Sequence, residues 1–454
     1  MPSTNHLSRD RVGIISFLGI LTFVLYLDRV CIGQAMPFIQ EDLGLNKTQQ
    51  SYILMAFTVA YGLFMVPVGL LGDRFGPKKV MVGIVIWWSI FTALTGYVSG
   101  LTTLIIIRFL FGAGEAGALP NSAKLIARWF PPERRGFPQG FMNTAALLGG
   151  ACAPLVTAQT IQFVDSRLAP MLAGTGIHLV GWRTTFYLFG TLGILWSIGF
   201  WMWYREPPAE AMQSRPTPAL KFALESARES ADEYVPPQPL SWGRVLTSPT
   251  VWLMGLINTC ASAVSYFYMS WYPSYLKDAR GVINTESGNM TTLVLIGGAL
   301  GSLWGGYLSD WMVRRTGERR WSRSIIGATG MFISAIGLLV APLFDSAWET
   351  SIVLCIGFTG GMLMIAAWWG VVADISGPHV ATLFGLMNGL GVFGGAGSQF
   401  FAGAMVDHNT QVLGLAGRAA WDPVFPVYAA VACLGGIAWL MVNANRQVHS
   451  RTLP

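Results

Sequence analysis

Four ionisable residues, Asp28, Arg29, Arg108 and Glu115, lie in stretches of sequence that are otherwise apolar enough to cross a lipid bilayer. A charged side chain at the bilayer centre costs roughly 2.5–3.5 kcal/mol on insertion scales. Two acids and two bases therefore belong where they pair with one another or line water. Arginine suits the binding of a carboxylate, because its planar guanidinium donates two parallel hydrogen bonds and stays charged at physiological pH. We interpret the four residues as a binding site for an organic anion.

The spacing of two of these residues also suggests how a proton could accompany the anion. Arg108 and Glu115 are seven residues apart, so on a helix they lie on nearly the same face, about 10 Å apart along the axis. An arginine favours the ionised form of a nearby carboxyl group, and an anion bound to that arginine removes this effect. Anion binding would then favour proton uptake by Glu115 or Asp28. The alternative is a purely structural ion pair that locks the first helix to the fourth.

The composition predicts the fold that positions these residues. Among 454 residues, 53% are hydrophobic and 11% charged, and the mean hydropathy is +0.50, which indicates an all-α polytopic membrane protein. We predict twelve transmembrane helices in two six-helix halves, residues 1–204 and 250–454, joined by a polar, proline-rich linker at 205–249. The predicted spans are 13–35, 50–72, 79–99, 101–125, 138–161, 183–204, 250–275, 287–312, 323–343, 350–373, 380–405 and 424–443.

The distribution of basic residues predicts the orientation. About 21 of the 29 Lys and Arg fall in the N-terminal arm, the even-numbered loops and the C-terminal tail. By the positive-inside rule both termini are cytoplasmic. The first apolar window is longer than a signal-peptide core and contains Asp28 and Arg29, so we expect it to be retained. The location we predict is the cell membrane, as in a bacterial inner membrane.

Other chemistry has little support in the sequence. All five cysteines lie in predicted spans, and the five histidines lie in loops or tails without a second ligand at helical spacing. There is no Walker A sequence and no GxSxG elbow. We therefore expect no metal, no cofactor and no enzymatic activity. The net charge of +6 suits anionic membrane lipid rather than nucleic acid, and we expect a monomer.

The two halves share a repeated motif. Residues 69–79 read Gly-Leu-Leu-Gly-Asp-Arg-Phe-Gly-Pro-Lys-Lys, and residues 306–315 read Gly-Tyr-Leu-Ser-Asp-Trp-Met-Val-Arg-Arg, with the same spacing from Gly to Asp. Glycine allows close approach of two helices, and Asp can accept a hydrogen bond from a neighbouring helix N-terminus. An ordinary basic turn is the alternative. The predicted cytoplasmic gate consists of Gly69, Asp73, Arg74, Gly76 and Asp310.

This repeated loop resembles the signature of the major facilitator superfamily. The resemblance implies the fold of that superfamily, with two six-helix halves. A narrower resemblance rests on Tyr26-Leu27-Asp28-Arg29 and on residues 108–120 and 127–135, which begin Arg-Phe-Leu-Phe-Gly-Ala-Gly-Glu and Ala-Arg-Trp-Phe-Pro-Pro-Glu-Arg-Arg. Together they are similar to the anion:cation symporter family. That family includes bacterial sugar-acid/proton symporters, such as galactonate and hexuronate transporters, and the animal vesicular glutamate and sialic acid carriers.

The resemblance to the galactonate branch implies a role for each residue of the site. Asp28 and Glu115 would be the protonatable carboxylates, and Arg29 would hold the substrate carboxylate. Arg108 would be the partner of the acids. Tyr61 on the second helix would contribute a hydroxyl group to the pocket, although simple helix packing is the alternative for this residue.

In the second half, the same resemblance implies substrate contacts for Trp369 and Asn388, with helix packing as the alternative. The chain departs from the galactonate branch on the fifth helix, where Ala146 replaces a glutamine, while Asn143 and Thr144 lie one turn earlier. We count Asn143 among the substrate-binding candidates. This departure argues against galactonate itself and leaves another organic anion as the expected substrate.

The function predicted from the sequence is proton-coupled symport of an organic anion by alternating access, with a sugar acid, either a hexuronate or an aldonate, as the substrate. An aromatic acid or an amino-acid anion remains an alternative, because each presents one carboxylate and several polar groups. Outside transport, a nontransporting membrane solute sensor remains open, although such a sensor would usually carry a signalling domain. A membrane-embedded enzyme or a lipid flippase is disfavoured, because the sequence shows no nucleophile or metal cluster that would serve it.

Overall fold

A computed structural model describes residues 4–130, 136–175, 178–205, 242–376 and 380–443, which form helices and short turns with no strand. Twelve long helical units follow one another, and four of them contain more than one segment. The helices are α1 (Thr4–Leu43), α2 (Lys47–Phe75), α3 (Pro77–Thr95), α4 (Leu101–Glu115 and Ala118–Trp129), α5 (Gly136–Phe163, Val164–Leu168 and Ala169–Leu172), α6 (Gly181–Trp203), α7 (Pro249–Tyr266, Phe267–Trp271 and Tyr272–Arg280), α8 (Asn284–Thr316), α9 (Arg319–Val340), α10 (Ala347–Ser376), α11 (Val380–Gln411) and α12 (Arg418–Trp421 and Val424–Met441).

Ten of these units are long and apolar enough, within the described residues, to cross a membrane. The other two, α2 and α11, cover the predicted spans 50–72 and 380–405. They contain 29 and 32 residues, more than the ~20 that a bilayer requires. The all-helical membrane fold predicted from composition is confirmed.

Helix packing repeats between the two parts of the chain, which we call the N half (α1–α6) and the C half (α7–α12). In the N half α1 packs against α5, α2 against α4, and α3 against α6. The C half has the matching pairs α7 with α11, α8 with α10, and α9 with α12. The sequence repeat at residues 69–79 and 306–315 therefore corresponds to a repeat in three dimensions. The predicted linker lies, for residues 206–241, outside the described residues, as does its candidate helix at 219–234.

Of the four segmented helices, α12 is divided by a turn at residues 422–423, and the other three also depart from regular α-helix. A turn at Ala116–Gly117 divides α4 directly after Glu115. In α7 the segment Phe267–Trp271 is a π-helix, a form that is frequent at functional sites. In α5 a π-helix at Val164–Leu168 carries the helix on to Leu172. The predicted end of the fifth span at residue 161 is therefore too early, because the helix continues through these polar residues to Leu172.

The two halves contact each other near one end of the bundle. We call the end that contains the turn between α1 and α2, residues 43–47, the outer end, following the predicted orientation, and the opposite end the inner end. Among the described residues, every hydrogen bond between the halves lies on the outer side. These bonds join Gln34 to Ser287, Lys277 to Pro37 and Glu41, Gln50 to Ser274, Thr58 to Gln399, Thr285 to Gln162, and the amides of residues 47 and 48 to Asp407.

The predicted gate motif lies at the inner end, where α2 turns into α3. Gly76 is the only residue between the two helices and has φ +83°, a conformation that glycine adopts without strain. Arg74 is exposed, and its guanidinium lies 5.3 Å from the ring of Phe75. Gly69, Asp73 and Asp310 fall within helices, but their side-chain environment lies outside the described part of the structure. The gating role of the motif stays a prediction.

Candidate functional site

An ion pair between Arg29 of α1 and Glu115 of α4 forms the centre of the candidate site. The Nε of Arg29 donates to Oε1 of Glu115 at 2.7 Å, and the terminal NH2 group contacts the same oxygen. Glu115 is 1% exposed and the Arg29 side chain 13%. Its second carboxylate oxygen, Oε2, is buried without a hydrogen-bond partner. Arg29 therefore contacts only one of the two carboxylate oxygens of Glu115, and the ion pair is not bidentate.

Aromatic rings surround the Arg29 guanidinium. Its Cζ lies 4.5 Å from the ring centroid of Tyr61, 4.9 Å from that of Tyr26 and 5.4 Å from that of Phe57. Cation–π contacts of this kind stabilise a desolvated guanidinium. Tyr61 thus lies at the predicted site, in contact with the predicted anion-binding residue.

Arg108 of α4 is 1% exposed and lies deeper in the N half. Its Cζ lies 4.3 Å from the ring of Phe111 and 5.3 Å from that of Phe57, so Phe57 contacts both guanidiniums. A Cβ on Gly112 would lie 2.5 Å from the carbonyl oxygen of Phe57, so only glycine allows α4 to approach α2 this closely. The residue that pairs with Glu115 is therefore Arg29, from another helix, and not Arg108 of its own helix. Among the described residues, Arg108 forms no ion pair with either acid.

Asp28 lies within electrostatic reach of Glu115 and Arg108 but forms no ion pair with Arg29 or Arg108 among the described residues. Neighbouring residues on a helix differ by about 100° in direction, and Asp28 is 1% exposed, inside the N half. Neither of its carboxylate oxygens has a hydrogen-bond partner. Trp88 of α3 lies beside it, and the indole N–H of Trp88 is also without a partner. A buried polar group without a partner costs free energy. A proton, a water molecule or a change of conformation would remove this cost at Asp28.

Arg29 faces the C half at the level where the contacts between the halves end. Residues Arg29, Gly33, Pro37 and Glu41 share one face of α1 at four-residue spacing. A Cβ on Gly33 would lie 2.3 Å from the carbonyl oxygen of Met269 in α7, and Pro37 and Glu41 accept hydrogen bonds from Lys277. Arg29 is the next residue of this row toward the inner end. The site therefore lies on the inner side of the contact between the halves, directly next to it.

The other predicted residues do not touch this cluster. Asn143 is exposed on α5, three turns before Pro154, and so shares the face that α5 turns toward Gly288 of α8. Trp369 is 55% exposed, with its ring 4.4 Å from that of Phe384. No hydrogen bond or ring contact among the described residues joins either of them to Arg29.

Asn388 is placed nearer to the site. Its Oδ1 accepts a hydrogen bond of 3.5 Å from Asn258 of α7. It lies one turn from Val392, which touches Gly62, the neighbour of Tyr61. Asn388 therefore belongs to the part of the C half that faces the cluster, close to it but not in contact with it.

The sequence analysis missed a row of polar residues on α7. Asn258, Ser262 and Tyr266 recur every four residues in an otherwise apolar helix, and this spacing is the signal that could have revealed them. Gly391 packs against Asn258 and Ser262, and Tyr266 lies beside Thr58 within electrostatic reach of Arg29. Polar groups from both halves thus face one another near Arg29.

Two repeated six-helix units with a buried arginine facing the contact between them are typical of membrane transporters. Comparison with known proteins identifies the family. The family model of the Major Facilitator Superfamily matches residues 18–399, so the chain belongs to this superfamily. Members of this family are transporters rather than enzymes. The resemblance stated from the sequence is confirmed.

The relatives to which the chain is similar are named as transporters of organic anions. The chain is 28% identical over 445 residues to a probable sulfoacetate transporter of Cupriavidus necator, covering 97% of this chain and 96% of the relative. It is 28% identical to the hexuronate transporter of Bacillus subtilis, covering 88% and 89%. It is 30% identical to a probable L-galactonate transporter of Escherichia coli, covering 81% and 77%.

The same fold is found in solved structures. A bacterial homologue of the human lysosomal transporter Spinster, crystallised in an inward-facing and unoccupied conformation, superposes with a TM-score of 0.74 at 20% identity. The match covers 95% of each chain. At this identity the likeness shows the fold, and it says nothing about the substrate.

Proposed function

We propose that the protein carries an organic anion across the cell membrane together with a proton, and that the anion is a sugar acid, either a hexuronate or an aldonate. The observation that carries this proposal is the buried pair of Arg29 and Glu115, in which the arginine holds only one carboxylate oxygen. A substrate carboxylate offers the same guanidinium a bidentate partner. Substrate and Glu115 therefore compete for Arg29.

This competition supplies the coupling. When the anion takes Arg29, Glu115 loses its counter-ion inside a buried site, where an unpaired carboxylate is costly. Proton uptake by Glu115 removes that cost. The bound state then contains the anion paired with Arg29 and a neutral Glu115. Asp28, buried without a partner, is a second proton site in this proposal.

The C half would select the rest of the substrate. A sugar acid has several hydroxyl groups in addition to its carboxylate, and these need donors and acceptors. Asn258, Tyr266 and Asn388 offer such groups on the face turned toward Arg29. Movement of the two halves about the site would expose it to one side of the membrane at a time, which is alternating access.

The sulfoacetate relative favours a second candidate, a short sulfonate that also has a carboxylate. Such an anion has two charged ends and no polyol chain. Arg29 and Arg108 would then both be engaged, whereas a sugar acid would rely on Arg29 and the polar residues of the C half.

A binding and uptake panel tests the proposal. Purified protein is screened by ligand-induced thermal stabilisation against hexuronates, aldonates, sulfoacetate, aromatic acids and amino-acid anions. Hits are then tested for uptake into proteoliposomes, with and without an imposed pH gradient. Stabilisation by sugar acids with pH-driven uptake supports the proposal. Stabilisation by sulfoacetate alone favours the second candidate, and binding without any transport would point to a sensor.

A further inference from the structure

A carboxylate of the C half caps a helix of the N half at the outer end. The backbone N–H of Lys47 donates to Oδ1 of Asp407 at 3.0 Å, and that of Thr48 donates to Oδ2 at 2.6 Å. These are the first two amides of α2, which have no partner within their own helix. A carboxylate at a helix N-terminus is stabilising, through both the hydrogen bonds and the helix dipole.

The side chain of Lys47 is bound by a second carboxylate of the same half. Its Nζ lies 2.6 Å from Oδ2 of Asp278 in α7, and the Lys47 side chain is only 9% exposed. The indole of Trp421 donates to the same oxygen at 3.3 Å. Gln40 of α1 also accepts from the ammonium group. The first residue of α2 is thus bound through its backbone by Asp407 and through its side chain by Asp278.

The backbones are also in close contact here. A Cβ on Gly403 would lie 2.4 Å from the carbonyl oxygen of Lys47, so α11 packs directly against the first turn of α2. If the halves separate at the outer end, the two amides and the ammonium group lose their partners at the same time. Because separation would also expose these groups to water, the contacts contribute the net stabilisation of a helix cap and of an ion pair, not the full cost of two unpaired buried charges.

The same helix end has another cap that does not cross between the halves. The side chain of Asn46 accepts from the N–H of Gln49 at 2.7 Å, and the side chain of Gln49 accepts from the N–H of Asn46 at 3.0 Å. This capping box belongs entirely to the N half. It therefore stabilises α2 equally whether the outer end is closed or open.

We infer that Asp407 and Asp278 form an outer latch, in which two carboxylates of the C half hold the first residues of α2 and bias the protein toward the conformation closed at the outer end. The latch is a property of the conformational equilibrium. It does not depend on which solute is carried or on whether a proton accompanies it.

The test measures how often the outer end opens. In a chain whose five native cysteines are replaced by alanine, Ser270→Cys provides a reporter. Ser270 is 6% exposed on α7 and lies about 15 Å from the outer end of that helix by helix rise. The rate of its reaction with a membrane-impermeant maleimide, added to the outer side of proteoliposomes of known orientation, reports opening.

We expect Asp407→Ala to increase the labelling rate roughly fivefold, the factor that corresponds to about 1 kcal/mol for a lost helix cap. Asp407→Asn keeps one oxygen acceptor and should give a smaller increase. The matched control is Asn46→Ala, which removes a cap from the same helix end without crossing between the halves, and it should leave the rate unchanged.

The ion-pair part of the latch has its own test. Lys47→Ala and Asp278→Ala should each increase labelling, and the double variant should be no faster than the faster single one, because both remove the same interaction. All variants are compared as monodisperse protein, and Asp407→Asn carries the test if Asp407→Ala does not purify. Labelling of the Asp407 variants at the parent rate, or an equal increase in Asn46→Ala, would overturn the latch.

Discussion

The hydroxyl of Thr58 in α2 donates a hydrogen bond of 3.0 Å to the side-chain oxygen of Gln399 in α11, and this is the innermost hydrogen bond between the halves among the described residues. The amide of Gln399 continues to Ser270 at 3.2 Å. By helix rise, Thr58 lies about 16 Å and Arg29 about 21 Å from the outer end. A buried polar layer therefore separates the outer surface from the candidate anion site.

The first prediction concerns Arg29 as the residue that holds the substrate carboxylate. Arg29→Lys keeps the charge but loses the planar fork of N–H groups. The affinity for the substrate should fall by about 1–3 kcal/mol, roughly 5- to 150-fold. Isothermal titration or thermal-shift titration of purified protein measures this change.

The control for this variant is Arg418→Lys. Arg418 also forms an ion pair, with Asp345, but at the outer end of the C half. It should bind substrate as the unmodified protein does. Unchanged affinity in Arg29→Lys would remove Arg29 from the role of anion anchor.

The second prediction concerns orientation. The basic bias of the even-numbered loops predicts that both termini lie on the cytoplasmic side. A cysteine at Gly174, in the exposed turn after α5, should react with an impermeant thiol reagent added to intact cells. A cysteine at Gly243, exposed in the short helix that precedes α7, should react only after the cells are opened. The reverse pattern would invert the topology and the direction of proton movement.

The third prediction concerns the contact between α1 and α7. Because a Cβ on Gly33 would lie 2.3 Å from the backbone oxygen of Met269, Gly33→Ala should push the halves apart at the outer end. Outside labelling of a cysteine at Ser274, which is fully buried, should then increase. Gly397→Ala in α11 is the control, since no atom lies within 4 Å of its added Cβ. Equal labelling in the two variants would show that the contact does not hold the outer end closed.

Much of this arrangement could be predicted from the sequence, because charges in apolar stretches identify both the helices and the site. The partner of Glu115, however, could not be predicted from the sequence. Arg108 shares its helix and is visible at a spacing of seven, whereas Arg29 is 86 positions away and reaches Glu115 only because the fold of the N half brings α1 and α4 together at this site. Helix geometry requires that Asp28 and Arg29 point about 100° apart, but which of them faces the C half depends on tertiary packing.

The C half was harder to predict for a different reason. Its polar residues are uncharged, and a single asparagine in a membrane helix serves equally well for substrate binding or for helix packing. Asn258, Ser262 and Tyr266 recur every four residues, but this spacing points to a functional face only once the structure shows Gly391 packed against Asn258 and Ser262. The latch residues Lys47 and Asp407 lie 360 positions apart and show no local pattern.

The last prediction assigns the coupling proton to Glu115. Glu115→Gln imitates the permanently protonated state, so the variant should bind substrate and exchange it when substrate is present on both sides of the membrane. It should not concentrate substrate in response to a pH gradient, because the return of the empty carrier requires the carboxylate to lose its proton.

The competition for Arg29 gives this variant a second signature, visible in binding alone. In the unmodified protein the anion binds together with a proton, so its affinity should rise as the pH falls. In Glu115→Gln no proton is taken up at this position, and the affinity should depend much less on pH.

Proteoliposomes separate exchange from accumulation by comparing counterflow with pH-driven uptake. Glu349→Gln, an exposed carboxylate in the first turn of α10, is the control and should accumulate substrate normally. Asp28→Asn removes the other buried acid and leaves the pair of Arg29 and Glu115 in place, so it should retain pH-dependent binding. If Glu115→Gln still concentrates substrate when only a pH gradient is imposed, the coupling proton is carried by another group, and Asp28 is the one remaining buried acid of this site.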